Sequence, residues 1–254
     1  MGKKLLIKKE RKVDAEGRKI VISRFEKHLI NDDKDFNTQF GVIKKNNLKK
    51  SSVKVGKEEF FVLEPSFIDY YKQIKRLAQI ITLKDIGAII ANTGINKDSI
   101  VLDAGTGSGG LACFLAMIVK KVISYDINDK HLEIAKKNIK TLNIKNIELK
   151  KRDIFNNKNI KEKNINIFIL DVTEPWKAVN TAEKVLKLGG FLVSYSPNIN
   201  QVERFVKALT DKFLYERTIE VIEREWAVKE KVLRPRMKDI GHTGFLTFAR
   251  KIKN

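Results

Sequence analysis

From about Lys84 onward the chain alternates short apolar strands with amphipathic helices, and that alternation limits the fold more than any other feature. Strand-like runs at Ser99–Leu102, Lys121–Asp126, Ile147–Lys151, Ile165–Asp171 and Phe191–Tyr195 alternate with helical stretches at Leu111–Ile118, Asn128–Leu142 and Ala178–Leu188. Within 128–142, Leu132, Ala135, Ile139 and Leu142 recur at near-helical spacing, while Lys136, Lys137 and Lys140 take the opposite face. Strand–helix alternation with right-handed crossovers gives an α/β fold built on a parallel, doubly wound sheet. The tail departs from this rhythm. Ile219–Val228 and Thr243–Ala249 are strand-like with no helix between them, which predicts an antiparallel pair at one edge of the sheet.

Residues 1–63 read as a separate small antiparallel β domain, with residues 64–254 forming the α/β domain. Runs with β character lie at Leu5–Ile7, Lys19–Ile22, Phe40–Ile43 and Glu59–Leu63, separated by turn-like clusters at Asp14–Gly17 and Asn31–Asp35. A linking helix is expected after Pro65, with Ile68, Tyr71, Ile74 and Lys75 on one face. The β segment carries 17 Lys and Arg against 9 acids, a share of +8 in a total of +20. Such an excess favours a polyanionic partner, with phosphate backbones the usual target. A Lys-, Ile- and Asn-rich composition throughout the chain would produce the same charge with no partner. The Lys229–Lys253 stretch, with Arg234 and Arg236, adds a second basic segment. The single cysteine, Cys113, excludes an internal disulfide framework and suits a reducing compartment. Residues 1–24 are charged throughout, and the densest apolar run, Leu111–Val119, is too short to span a bilayer. A soluble, cytoplasmic protein is expected.

The chemistry-bearing signal is Val101-Leu102-Asp103-Ala104-Gly105-Thr106-Gly107-Ser108-Gly109, a buried strand running into a glycine turn and then an apolar helix. Glycines permit positive φ and let a ligand approach the backbone, and the helix start leaves amides unpaired. Gly105, Gly107 and Gly110 also satisfy a dinucleotide fingerprint. Three acids at strand ends separate the two readings. Asp103 closes the first strand, Asp126 the second, where a carboxylate binds ribose hydroxyls, and Asp153 follows the third. A dehydrogenase accounts for Asp126 alone. S-adenosylmethionine, with its ammonium, sulfonium and adenine amine, gives all three a place. A fourth acid, Asp171, ends the strand in Phe168-Ile169-Leu170-Asp171-Val172-Thr173-Glu174-Pro175-Trp176, either facing the same crevice or capping the next helix. Trp176 faces a ligand or fills the core. The three histidines and one cysteine form no metal-ligand cluster.

Several spaced elements then resemble one family, the tRNA adenine-58 N1-methyltransferases of archaeal type. Asp171–Trp176 resembles its Asp-x-Pro-x-Pro-Trp element and Gln79-Ile80-Ile81-Thr82-Leu83-Lys84-Asp85 its Gln-Ile-Ile-Tyr-Pro-Lys-Asp segment. Ala104–Gly109 matches its glycine loop. Tyr195-Ser196-Pro197, Gln201-Val202 and His242-Thr243-Gly244-Phe245-Leu246 follow in order. The resemblance implies a Rossmann-like class I methyltransferase fold with S-adenosylmethionine as cofactor. It implies cofactor contacts from Gln79 and from Ala104, Gly105, Thr106, Gly107, Ser108, Gly109 and Gly110 beside Asp103. Asp126 and His131 would hold the ribose, Asp153 and Ile154 the adenine, and Asp171 the target base beside the cofactor. The implied reaction is methylation of N1 of a T-loop adenine in tRNA, at position 58 with 57 as a second candidate, by a homotetramer. Thr82, Leu83 and Thr173 depart from the family pattern, where a ring and two prolines are usual. Methylation of a corrin-ring precursor or of protein isoaspartate, and a non-catalytic RNA-binding role, are the alternatives.

Overall fold

The computed structural model describes residues 2–16, 18–77, 79–229, 232–236 and 241–254. Gly17 of the expected turn, and positions 230, 231 and 237–240 of the basic tail segment, lie outside the described residues. The chain divides into two compact units, Met1–Ile74 and Lys75–Asn254.

The first unit contains β1 (Lys3–Lys8), β2 (Arg11–Ala15), β3 (Arg18–Ser23), β4 (Glu26–Asn31), β5 (Phe36–Thr38), β6 (Gly41–Ile43), β7 (Ser52–Val55), β8 (Glu58–Leu63) and a short helix α1 (Phe67–Tyr71). A four-stranded antiparallel sheet in the order β4-β1-β8-β7 carries the core, with Leu6, Ile30, Val53, Phe60 and Val62 buried against Ile43 and Leu48. Alternation of period two sorts these strands: Val53 and Val55 turn inward while Lys54 between them is exposed. The linking helix expected after Pro65 is present but covers five residues and stops short of Ile74 and Lys75. Asp69 accepts hydrogen bonds from the amide and hydroxyl of Ser66 (2.9 and 2.8 Å), which start the helix. The last turn tightens to i→i+3 bonds at Gln73 and Ile74. Lys75 is not helical, because the side chain of Asn138 holds its amide and its carbonyl (2.9 and 2.8 Å).

The second unit runs α2 (Leu83–Thr93), β9 (Ile100–Ala104), α3 (Gly110–Leu115), β10 (Lys121–Asp126), α4 (Asp129–Thr141), β11 (Ile147–Lys151), β12 (Ile165–Leu170), α5 (Val179–Val185), β13 (Leu186–Ser196), α6 (Ile199–Ala208), β14 (Phe213–Glu220), β15 (Trp226–Lys229), β16 (Val232–Pro235) and β17 (Phe245–Lys251). Its seven-stranded sheet has the order β11-β10-β9-β12-β13-β17-β14. The first five strands are parallel, and β17 lies antiparallel between β13 and β14. Both faces are covered, so the central strands are apolar on both sides. Along β12, Phe168 and Leu170 face α5 and α6, while Ile167 and Ile169 face α2 and α3. Each such fully buried side chain contributes roughly 1.5–3 kcal/mol.

Three sequence expectations change here. The strand expected over Ile219–Val228 is two strands, since the carbonyl of Val221 bonds Lys84 Nζ (2.5 Å) and the β14–β17 ladder ends at Glu220. The helix expected to Leu188 stops at Val185, because Leu186 is buried as the start of β13. The helix expected over Leu111–Ile118 ends at Leu115, where its last turn tightens at Met117 and Ile118. Among the described residues no helix is long and apolar enough to cross a membrane.

Candidate active site

The chain leaves β9 for β10 and β11 on one side, then returns to β12 on the other, which places the topological switch point between β9 and β12. Ligands of open α/β sheets bind outside the carboxyl ends of the strands at this point. Here the two strand ends are stitched together. Asp171 N–H donates to the carbonyl of Ala104 (2.5 Å), and Gly105 N–H donates to the carbonyl of Asp171 (3.1 Å). A Cβ on Gly105 would stand 3.5 Å from that carbonyl and 3.6 Å from Asp126 Oδ2, inside the space a ligand would occupy. Gly107, at φ +52°, turns its N–H onto Asp126 Oδ2 (2.9 Å). A cleft of about 450 Å³ opens over these turns, a volume that suits a nucleoside-sized ligand.

Asp126 organises part of the cleft wall. Its Oδ2 also meets His131 Nδ1 (3.1 Å), one turn into α4, and its Oδ1 accepts from Asn128 N–H (2.9 Å). Asp153 Oδ1 accepts from Phe155 N–H (2.9 Å), and this turn presents Ile154 and Phe155 to the cleft. Behind the glycine turn lies Asp103, 1% exposed, with Oδ2 accepting from Ser124 Oγ (2.6 Å) and Oδ1 without a partner. Burial pushes its carboxyl up to about 7, the negative charges of Asp171 and Asp126 add to the rise, and the Ser124 bond opposes it. Burial likewise pushes Asp171 up to about 6. Carboxyls so raised hold protons they would otherwise lose, and an incoming cation would favour their ionised forms.

Of the residues singled out from the sequence, Gln79, Ala104, Gly105, Gly107, Asp126, His131, Asp153, Ile154 and Asp171 line the cleft. Asp103, Thr106, Ser108, Gly109 and Gly110 are placed behind it. Thr106 Oγ1 bonds Ser124 Oγ (2.7 Å), and Ser108 Oγ accepts from Leu77 N–H (2.9 Å). Gly109 and Gly110 sit where a Cβ would come within 3.0 Å of Ala135 and Ile80 respectively. The wall also contains Tyr125, Ile127, Arg152, Phe155 and Val172, direct neighbours in sequence of residues already singled out. Thr173, Pro197 and Gln201 complete it, and Gln201 Nε2 donates to the carbonyl of Thr173 (3.0 Å). Trp176 is half-buried, with the Arg204 guanidinium stacked over it at 5.4 Å.

Sheet order, glycine turn and acidic strand ends together define a doubly wound α/β protein with a nucleoside-sized cleft at its switch point. The model of the family described as tRNA methyltransferase complex GCD14 subunit matches residues 60–236. The chain belongs to that family. It is 33% identical to the tRNA (adenine(57)-N(1)/adenine(58)-N(1))-methyltransferase TrmI of Methanocaldococcus jannaschii, over 91% of this chain and 93% of the relative. It is 37% identical to a tRNA (adenine(58)-N(1))-methyltransferase TrmI of Thermus thermophilus, over 77% of this chain and 78% of the relative. Among solved structures, a SAM-dependent O-methyltransferase from Thermotoga maritima superposes with a TM-score of 0.82 at 26% identity, covering 100% of this chain and 94% of that one.

Proposed function

We propose that this protein transfers a methyl group from S-adenosylmethionine to N1 of a tRNA T-loop adenine, at position 58 and, as in the archaeal relative's name, also at 57. The observation that carries the reading is a cleft at the sheet's switch point lined together by Asp171, Asp126 and Asp153, in a chain of this family. The residues fit the cofactor. The carboxylate of Asp126 suits a ribose diol, Ile154 and Phe155 supply an apolar seat for adenine, and Asp153 stands beside it. The orphaned, buried Asp103 Oδ1 suits a ligand that brings positive charge into the glycine turn. When bound, the cofactor supplies an electrophilic methyl on a sulfonium.

The residues of this chain bind and orient. N1 of adenine is largely unprotonated at neutral pH, so attack needs no strong base. The target base must leave its stack, at a cost of a few kcal/mol, to reach Asp171 on the cleft wall. As N1 gains the methyl the ring becomes cationic and its exocyclic amine a stronger donor. A carboxylate at Asp171 accepting from that amine therefore favours the transition state over the ground state. We read the assembly as a cytoplasmic homotetramer. One face of the β15–β16 hairpin, Trp226, Val228 and Leu233, is exposed apolar surface of the sort that oligomers cover. Light scattering measures the assembly. The decisive experiment is nucleoside analysis of tRNA incubated with the protein and labelled S-adenosylmethionine, with corrinoid and peptide substrates as controls. The expected product is 1-methyladenosine. N6-methyladenosine as the primary product, or transfer only to a control, overturns the assignment.

A further inference from the structure

Two sequence elements take no direct part in the cleft, Lys84-Asp85 and His242-Thr243, and the fold brings them together. His242 precedes β17. Its Nδ1 lies 2.5 Å from Glu220 Oε1 at the end of β14, and its Nε2 lies 2.8 Å from the carbonyl oxygen of Pro197. A carboxylate and a carbonyl both accept, so each ring nitrogen must donate. An imidazole that donates from both nitrogens is the imidazolium. The next residue is fixed in place: Thr243 Oγ1 donates to the fully buried Asp85 (2.8 Å), and Tyr195 Oη donates to the Thr243 carbonyl (2.7 Å). Lys84 Nζ joins Asp85, Thr243 and the Val221 carbonyl (2.9, 2.7 and 2.5 Å). Gly244 permits this packing, since a Cβ there would come within 2.6 Å of the Tyr195 ring.

The bonded carbonyl belongs to a residue that lines the cleft. Pro197 follows β13, and Gln201, further along the same segment, holds the Thr173 carbonyl beyond Asp171. We propose that His242, protonated and bridging Glu220 to the carbonyl of Pro197, is a positioning residue that fixes the Pro197–Gln201 wall where the target base is received. The proposal rests on the methyl-transfer reading and adds a pH-dependent element to that site. A neutral ring keeps one N–H, so either Glu220 or Pro197 loses its donor when the imidazolium deprotonates. Among the described residues the charged groups beside the ring are Glu220 and Lys84, with Asp85 paired to Lys84. The Glu220 bond, followed by the Pro197 carbonyl, holds the imidazolium to higher pH than an ordinary histidine, and Lys84 acts against them.

The test uses the full chain and Glu220→Gln, which retains an acceptor for Nδ1 but removes the charge. Nitrogen-resolved NMR of the His242 ring should find both nitrogens protonated at pH 7 in the unaltered protein. The alkaline limb of kcat for tRNA should fall with the same midpoint as that ring titration. In Glu220→Gln ring and limb should move together to lower pH by about one unit, a roughly tenfold loss of rate above both midpoints. The acid limb and the Kd for S-adenosylmethionine should stay put. A neutral His242 ring at pH 7, or an alkaline limb that does not follow the ring, overturns the proposal. If the unaltered chain transfers no methyl to tRNA, the methyl-transfer reading fails instead, and the ring titration still decides whether the bridge exists.

Discussion

Asp103 and Asp171 end adjacent parallel strands, and burial raises both carboxyls, yet the two call for different experiments. Asp103 is buried with one oxygen unpartnered, so its charge opposes folding. Its folded pKa of about 7 lies above its unfolded value, so the native state binds the extra proton. Stability from this group is therefore full below about pH 4 and is lost as pH rises through about 7. Asp103→Asn should make the ligand-free protein more stable than the parent at pH 8, by an amount on the order of a few kcal/mol. The two should converge near pH 4 in denaturant titrations, and a constant difference across that range would refute the account. Asp171 lies on the cleft wall, where its carboxylate is assigned to the target amine. A charge-assisted hydrogen bond is worth ~1.5–3 kcal/mol, so Asp171→Ala should slow single-turnover methyl transfer by at least roughly 10- to 100-fold. Cofactor affinity should persist in calorimetry. In the parent enzyme, kcat/KM should rise from acid pH through about 6 as the carboxyl of the free enzyme ionises. Near-normal turnover in Asp171→Ala would remove it from the chemistry.

At the scale of elements, the glycine turn shows how far sequence reading reaches. The run from Val101 to Gly109 placed strand, turn and helix correctly because each residue type there has few alternatives. It did not separate ligand-facing glycines from packing ones. Gly105 and Gly107 face the cleft, whereas Gly109, at φ +76°, lets α3 approach α4, with Ala135 Cβ 3.0 Å from where its own Cβ would be. Gly109→Ala thus combines left-handed strain with a clash, and should cost on the order of 1–3 kcal/mol. Thermal unfolding checks this, and an unchanged midpoint would show that α4 yields freely. Other elements were illegible for identifiable reasons. α6 is a different case: Val202 and Phe205 are buried and recur with Ile199 and Val206 at helical spacing, a stripe that the residues carry plainly. β2 is dominated by charged residues, and β7 alternates correctly but over only four residues, too short a run to signal a strand by itself. Asn138 belonged to no visible apolar pattern, yet it is 3% exposed and holds Lys75 and the Ser108 carbonyl. The acids at the ends of β10 and β12 were legible because strand ends at a switch point are chemically exposed in any doubly wound sheet. The His242 bridge joins residues 22 and 45 positions apart, a pairing that no local pattern encodes.

At the scale of the whole molecule the dominant quantity is charge, +20 in all with +8 in residues 1–63. Much of the basic surface of the first unit is already paired: Lys12 with Glu10, Lys27 with Asp69 and Lys44 with Asp35. Lys49, Lys50, Lys54 and Lys57 differ. They are exposed along and beside the edge strand β7, and no ion pair among the described residues includes them. Four unpaired ammonium groups on one sheet edge are suited to a phosphate backbone, and each phosphate neutralised releases condensed counterions. Binding to tRNA should accordingly weaken linearly in log K against log salt. Replacing these four lysines by glutamine should flatten that line by up to about 3–4 units of slope, at roughly 0.9 per duplex phosphate and somewhat less for single strands. Folding stability should change little, because isolated surface charges of this type contribute within about 0.5 kcal/mol. Since Asp171 and the cleft are untouched, the rate at saturating tRNA should also be preserved, so the loss should appear in KM and in the binding isotherm. Fluorescence titration at several salt concentrations measures the slope directly. An unchanged slope with unchanged affinity would mean that the first unit's charge serves something other than holding the tRNA.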